Sequence, residues 1–541
     1  YLLSFFYFFL TLYTLYYNRG DFMSKQVKLR ILQTSDVHGY VTPNHYSTME
    51  EQPLGMAKIS SLVRSLRTKN TILIDSGDII QGSPLMHYQS KHHKTDINPM
   101  ASIMNHMGYD FATVGNHEFN YGLDYMKGYT NNLKAILLSA NIIEKDSQKS
   151  PFGIPYFIKE IDGVKIGIIG ITTHYIPNWE NPSNIRNLEF LDAYETCKRY
   201  VEILKPQVDF IIVNYHGGFE ADLKTGALLV NDTGENQGYQ MLSKIKGINV
   251  LLTGHQHQVI AGIQNNIAYT QPGNSGKYLG VVDVIFEKNN NQITHQVSSQ
   301  LVPVKDIDPD PEIMRIIHKT ESNTQRFLDI EIGHLEAPLL INNQLNARLN
   351  KHKIVSFINQ VQMEITGAPI SSCSLGNDVS GFNQSITIRD IIGTYIYPNT
   401  LVVKSLSGAI LQKAIEKSAS FFELENDKIV ISKKYTTPKL ELYAYDMYDG
   451  IDYTIDIRKP VGERVVQISY QGNPIKPEKH YPIVMNNYRA SGGGGYEFIQ
   501  ESPLIKDPQI EVIDALITYI ENHKVLSIHH KNNITILPKK D

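Results

Sequence analysis

From Leu29 to about Val304 the chain alternates short apolar runs with helix-like segments. LRILQ, TILID, FATVG, KIGIIGI, DFIIVN and NVLLTG are rich in Ile, Val and Leu and stop on small or polar residues, the pattern of strands buried on both faces. Between the first two, MAKISSLVRSLR places Met56, Ile59, Leu62, Val63 and Leu66 at helical spacing, so residues 27–305 are expected to form an α/β domain. DIDPDPEIMRIIHKTESNTQRFLDIEIGHL then opens with a Pro/Asp-rich turn and continues as a polar, helix-compatible stretch. It marks an inter-domain connection over 306–335. Residues 336–525 mix a helical piece, LSGAILQKAIEKSA, with strand-like ERVVQISY and YPIVMNN, and are expected to form a smaller α+β domain. Residues 526–541 read as a tail ending in a solvated PKKD.

The length of 541 residues exceeds what one hydrophobic core usually organises and supports two domains. With 42% hydrophobic and 20% charged residues the chain is an ordinary globular protein. Its net charge of −4, without a basic cluster, argues against a nucleic-acid polymer as partner. A small anionic substrate therefore needs a local source of positive charge. Cys197 and Cys373 are too few and too far apart for a disulfide framework or a thiolate metal cage, and read as inert, partly buried thiols.

The first 17 residues, YLLSFFYFFLTLYTLYY, carry no charge but lack the basic region and cleavage site of a secretory signal. RGDF, residues 19–22, can be encoded by the purine-rich AGA GGT GAT TTT immediately before Met23. Met23 is therefore expected to be the natural start and residues 1–22 translated upstream DNA, which makes the protein cytoplasmic. A genuine signal or anchor would instead make it secreted or attached to the cell surface. Intact-mass measurement on protein from the native host distinguishes the two.

Chemistry-bearing side chains recur where the apolar runs end. LRILQTSDVHG delivers Asp36 and His38, TILIDSGD delivers Asp78, and FATVGNH delivers Asn116 and His117; DFIIVNYHGG delivers His216, and NVLLTGHQH delivers His255 and His257. Ligand sites of α/β sheets gather beyond the carboxyl ends of the strands, so these side chains are expected in one crevice. Carboxylate, imidazole and amide oxygen are donors for Zn²⁺, Mn²⁺ or iron, and a set too large for one tetrahedral ion suits two ions sharing a bridging carboxylate. His45, His87, His92, His93 and His106 lack this placement and read as core or rim residues.

The ordered set, with the longer strings GDIIQGSPL, GNHEFNYGLDY, YIYPNT and NNYRASGGGGYEF, resembles the calcineurin-like metallophosphoesterases. Within them it is similar to the 5′-nucleotidases and 2′,3′-cyclic-nucleotide 2′-phosphodiesterases/3′-nucleotidases, from about Leu29 to Phe498. The resemblance implies a four-layer αββα catalytic domain followed by a smaller α+β nucleotide-binding domain. It implies Asp36, His38 and His257 as ligands of one divalent metal ion, Asn116, His216 and His255 as ligands of a second, and Asp78 as the bridge. The ions would be Mn, Zn, Fe, Co or Mg.

The resemblance further implies that His117 assists the transition state or leaving group, oriented by Asn120. Many 5′-nucleotidases have Asp at the latter position, and an amide orients the ring without supplying its charge; Asn120→Asp is accordingly expected to shift the alkaline limb of the rate profile upward. Tyr445 and Tyr488 occupy the two positions whose rings sandwich a nucleobase, Tyr443 and Tyr448 lying beside the first. Relatives often carry a phosphate-contacting Arg where this chain reads SLGNDVSGFNQ, and neither Arg389 nor Arg489 is assignable to that role.

The expected activity is hydrolysis of nucleotide phosphoesters, 2′,3′-cyclic nucleotides and nucleoside monophosphates, by a metal-activated hydroxide. The alternatives are a strict 5′-nucleotidase or nucleotide-sugar hydrolase, and a non-catalytic nucleotide-binding relative. The expected partner is a small-molecule nucleotide, and no obligate protein partner is indicated.

Overall fold

A computed structural model describes residues 25–538, except 47–48, 179, 229–232, 290–291, 396, 398, 438 and 509. The apolar segment 1–22, Met23, the final Lys539–Asp541, and Ile396 and Pro398 of the YIYPNT string lie outside the described residues. Among the described residues no helix is long and apolar enough to cross a membrane.

The apolar runs form two six-stranded sheets. In the first, Lys25–Thr34 pairs in parallel with Thr71–Asp75, which continues to Phe111–Ala112 and Ile136–Leu137, while Tyr278–Asn289 and Gln292–Pro303 add antiparallel strands at the other edge. In the second, Val164–Thr172, Phe210–His216 and Val250–Thr253 run parallel at the centre. Ile31, Ile72, Ile74 and Phe111 of one sheet and Ile166, Ile168, Ile212 and Leu252 of the other share a single buried cluster, which explains strands that are apolar on both faces. Met56–Leu66, Pro84–His92 and Pro99–Met107 contribute to the cluster on the outside of the first sheet. Ala193–Leu204 and Gly238–Lys244 pack on the outside of the second, where Cys197 is buried. The domain is thus four layers, αββα.

The helix Pro311–Leu328 starts at Asp310, whose side chain caps Glu312 N, and packs on the three helices of the first outer layer. Residues 331–335, expected in the connection, are instead a strand in a three-stranded sheet with Ser385–Thr387 and Val525–Leu526, and so belong to the second domain. That domain is built on a five-stranded sheet whose neighbours are Asp446–Asp449, Ile370–Ser374, His480–Asn486, Leu401–Ser407 and Leu504–Lys506. The expected tail is also a correction: Ile534–Leu537 pairs in parallel with Asp452–Asp456, completing a four-stranded sheet. Ile534 is buried there. Cys373 is buried in this domain, and both thiols are free.

Candidate active site

The carboxyl ends of five parallel strands meet at one edge of the two sheets, and the turns beyond them carry the polar side chains. Asp36, His38, Asp78, His255 and His257 adopt the left-handed backbone conformation, with φ between 53° and 68°. Each costs of order 1–3 kcal/mol for a residue with a side chain, strain that folded proteins retain mainly at functional sites. Close packing completes the arrangement. A Cβ added at Gly115 would collide with Asp78 Oδ1 and lie 2.7 Å from His216 Cε1, so only glycine lets the strand end on Asn116 without displacing its neighbours.

Two clusters result. Asp36, His38 and His257 place one potential ligand atom each within 4.8 Å of one another, and Asp78, His216 and His255 do likewise. Asn116 joins the second: its Oδ1 lies 2.8 Å from His255 Nδ1 and 3.1 Å from His216 Nε2. The clusters abut through Asp36, whose Oδ1 accepts from His255 N at 3.0 Å while lying 3.4 Å from His257 Nε2. His117 is not in either cluster; its N–H donates to Asp78 Oδ1 at 2.8 Å and its ring faces His38 edge-on at 5.3 Å.

The protonation pattern fits cations. His38 Nδ1 lies 2.9 Å from Gln81 O and His216 Nδ1 2.7 Å from Ser76 O. A carbonyl can only accept, so both Nδ1 atoms carry the proton and both Nε2 lone pairs turn inward. There His38 Nε2 sits 3.1 Å from His257 Nε2, and His216 Nε2 sits 3.2 Å from Asp78 Oδ2, a buried oxygen with no hydrogen-bond partner. Acceptors this close without donors between them suit a bound divalent ion.

The electrostatics agree. Burial, then the charge of His257, holds His38 down to about 3. Burial acts to lower His216 as well, but Asp78 and Asp36 outweigh it and raise the imidazole to about 10, so positive charge is favoured at Nε2, whether as a proton or as a cation that takes the proton's place. Asp36 is kept down at about 2 because its contacts with His257 and His216 outweigh the burial that opposes ionisation.

Sequence reasoning missed the groups behind these ligands. Glu118 is buried and accepts the backbone N–H groups of Asp78, Ile79, Ile80 and Gly115, locking the Asp78 turn to the Asn116 turn. Its signal was the fourth letter of GNHE, one residue past the chemistry. Glu235 Oε1 lies 2.8 Å from His255 Nε2 and orients that ring. Asn120 does hold His117, with Oδ1 2.6 Å from Nδ1. Its amide nitrogen in turn donates to Glu180 at 2.7 Å, a contact no local pattern announces.

A cleft of about 1030 Å³ runs from this site to the second domain. The catalytic side contributes His117, Asn120, Glu180, His255 and His257, and the opposite wall contributes Tyr397, Tyr443, Tyr488, Asn486 and Lys439. Tyr488 is half-buried on the cleft, but Tyr445 is not part of it. Tyr445 is fully buried, stacked on Phe421 at 5.4 Å and edge-on to Phe422 at 4.8 Å. These contacts lie within its own domain, so no movement between domains exposes it. Tyr443 takes its place on the cleft, its ring 6.5 Å from Tyr488 and inclined by 77°, and Tyr448 is buried.

Arg489 lines the cleft, yet both arginines are engaged by partners within the protein. Arg489 is buried and bidentate on Asp446 at 2.7 and 2.9 Å. Arg389 pairs with Asp329 and with the Tyr46 carbonyl at the domain junction. Ser374, Gly376, Asn377 and Asp378 of the SLGNDVSGFNQ region do line the cleft, and Lys277 and Lys439 are cations along it.

Residues 29–259 match the calcineurin-like phosphoesterase family and residues 331–501 the 5′-nucleotidase C-terminal domain. A candidate 5′-nucleotidase of solved structure from Staphylococcus aureus is 35% identical, with a TM-score of 0.87 over 94% of this chain and 100% of that one. The 2′,3′-cyclic-nucleotide 2′-phosphodiesterase/3′-nucleotidase of Salmonella typhimurium is 29% identical over 86% of this chain and 82% of its own. The trifunctional nucleotide phosphoesterase YfkN of Bacillus subtilis is 28% identical over 95% of this chain, which spans only 39% of that longer protein. The fold of this family implies divalent metal ions, and its members are phosphoester hydrolases. The chain belongs to the calcineurin-like phosphoesterases of the 5′-nucleotidase family.

Proposed function

We propose that this chain hydrolyses nucleotide phosphoesters, taking 2′,3′-cyclic nucleotides and nucleoside monophosphates, with two divalent cations as cofactor. One observation carries the reading: His38 and His216 spend their Nδ1 protons on backbone carbonyls, which turns imidazole lone pairs toward Asp36, Asp78 and Asn116 at the mouth of a tyrosine-lined cleft. Asp36, His38 and His257 would hold one ion, Asn116, His216 and His255 the other, and Asp78 both. When bound, such a pair supplies a nucleophile at neutral pH and offsets the charge on the phosphoryl oxygens.

The chain's own residues then divide the work. His117, half-buried beside Asp78, donates a proton to the departing ribose oxygen. Tyr443 and Tyr488 offer ring faces to the base, and stacking of about 1–3 kcal/mol per base is tolerant of base identity. Lys94, Lys277 and Lys439 are among the cations along the cleft and supply positive charge for substrate phosphate. A second reading, a strict 5′-nucleotidase, is favoured by the likeness to the Staphylococcus aureus structure. Rates on 2′,3′-cyclic AMP, 3′-AMP, 5′-AMP and UDP-glucose, with Mn²⁺, Zn²⁺ and chelator controls, separate the two. Preference for the first two compounds supports the proposal, turnover of 5′-AMP alone replaces it with the second reading, and turnover of none of the four rejects both.

A further inference from the structure

Glu180 lies 60 residues from Asn120 in sequence, yet the residue is only 8% exposed and its carboxylate ends at the Asn120 amide. Its oxygens accept from three donors: Asn120 Nδ2 to Oε2 at 2.7 Å, and Asn181 N at 2.8 Å and Asn184 Nδ2 at 2.9 Å to Oε1. Asn184 also donates to the Asn120 carbonyl at 3.3 Å, bracing the same loop. Burial raises the carboxyl above its usual range, and the three amide donors and the nearby His117 oppose that rise. All three contacts bring hydrogens to the carboxyl group, so the hydrogen-bond pattern is that of a carboxylate.

A carboxylate only accepts, and this fixes the direction of the chain of contacts. The Asn120 atom facing Glu180 must be the NH₂ group, so the atom 2.6 Å from His117 Nδ1 must be the amide oxygen. That oxygen also only accepts, so His117 must carry a proton on Nδ1. Without Glu180 the amide is free to turn over, present its NH₂ to the ring and place the proton on Nε2 instead. We propose that Glu180 is a positioning residue for hydrolysis: through Asn120 it keeps a proton on His117 Nδ1 directed at the amide oxygen, leaving Nε2 as the ring nitrogen that, when it too is protonated, gives its proton to the leaving group. The negative charge that Asn120 lacks is supplied one side chain further back.

This rests on the phosphoester-hydrolase reading, and the test separates the two. Hydrolysis of 3′-AMP and of p-nitrophenyl phosphate is measured for the wild type, Glu180→Gln, Asn120→Asp and the double variant Asn120→Asp/Glu180→Gln. A wild type inactive on both esters and also on 2′,3′-cyclic AMP, 5′-AMP and UDP-glucose rejects the hydrolase reading, and the positioning claim is then judged by the nitrogen resonances of His117 alone. Glu180→Gln is expected to lower kcat on 3′-AMP ~10- to 100-fold, within what a positioned proton donor contributes. KM should hold, and loss on p-nitrophenyl phosphate, whose leaving group needs no proton, should be several-fold smaller. Asn120→Asp alone should also lose activity, because it sets two carboxylates against each other.

The double variant restores the pattern with charge and amide exchanged. The carboxylate introduced at position 120 accepts from His117, and the amide introduced at position 180 donates to that carboxylate while its oxygen still accepts from Asn181 and Asn184. This variant is expected to recover kcat to within about threefold of wild type. A double variant no better than the worse single, or equal losses on both esters, would overturn the proposal. The independent measurement needs no variant protein to fold for its main result. In ¹⁵N-histidine-labelled, zinc-loaded, full-length wild type, the His117 signals, identified by their loss in His117→Gln or by their approach to the Asn120 loop, are expected to report Nδ1–H. An Nε2–H tautomer would contradict the claim outright.

Discussion

The two walls of the cleft achieve rigidity by different means. On the catalytic side, seven polar side chains from five strand ends are held by strained backbone and buried hydrogen bonds: Glu118 clamps two turns, Ser76 and Gln81 carbonyls fix two imidazoles, and Glu235 fixes a third. On the opposite wall, Tyr397, Tyr443 and Tyr488 line the cleft with rings edge-on to one another, while Phe421, Phe422 and Tyr445 interlock in the core of the same domain. Polar groups that must meet ions need directional partners, because an unpaired buried oxygen such as Asp78 Oδ2 is costly unless a cation takes it up. Aromatic rings that meet a base need only a firm apolar backing.

This contrast is breakable, and the largest effect should come from the polar wall. Asp78→Asn removes the carboxylate charge of the second cluster, the one proposed to reach both ions, and kcat/KM on a cyclic nucleotide is expected to fall roughly a thousandfold or more, about 4 kcal/mol of transition-state stabilisation. Fold and thermal transition should survive, since the buried oxygen is already without a hydrogen-bond partner. Loss of folding instead of catalysis would mean that the carboxylate is structural.

The aromatic wall offers a sharper split. Tyr445→Ala is expected to cost about 3–5 kcal/mol of stability, read from urea unfolding, because it empties a ring-sized space against Phe421 and Phe422. KM for nucleotides measured on the folded fraction should not move. Tyr488→Ala and Tyr443→Ala should do the reverse, each raising nucleotide KM several-fold to about a hundredfold with little change for p-nitrophenyl phosphate. If Tyr445→Ala raised KM and Tyr443→Ala did not, the assignment of core and cleft rings would be inverted.

Behind the ligands, Glu118→Gln replaces one of the two carboxylate oxygens, which together accept four backbone donors, with an NH₂ group. Metal affinity, measured by competition with a chelator, should weaken about 10- to 100-fold. The last effect is a slope. Burial raises Asp75 to about 8 despite its bonds with Thr34 and Gly77. The folded chain thus keeps a proton that the unfolded chain releases near pH 4, so this group's contribution is fully present below pH 4 and is lost as pH rises to about 8, by at most ~1.4 kcal/mol per pH unit. Asp75→Asn should flatten urea midpoints measured between pH 5 and pH 8; an unchanged slope would place the titration elsewhere.

The polar wall was the more legible in sequence because each ligand follows an apolar strand, and strand ends of a parallel sheet converge whatever the loops between them do. Its support was not. Glu180 and Glu235 act across 60 and 20 residues of intervening chain, and no periodicity carries that information. The aromatic wall misled at one place for a local reason. The resemblance carried the base-stacking role to Tyr445, two positions beyond Tyr443. Leu442–Ala444 is a 3₁₀ turn, with the strand starting only at Asp446, so the two rings diverge, one to the cleft and one to the core. The domain edges failed similarly, since Glu331–Leu335 and Ile534–Leu537 are short strands whose partners lie far away in sequence.

The central claim is that two cations at the converged side chains perform the hydrolysis, and metal content measured alongside activity tests it most directly. Elemental analysis of the purified chain is expected to find close to two divalent ions per molecule, with hydrolysis of 2′,3′-cyclic AMP abolished by exhaustive chelation and restored by Mn²⁺ or Zn²⁺. Undiminished turnover by protein stripped to well below one ion per chain would contradict it.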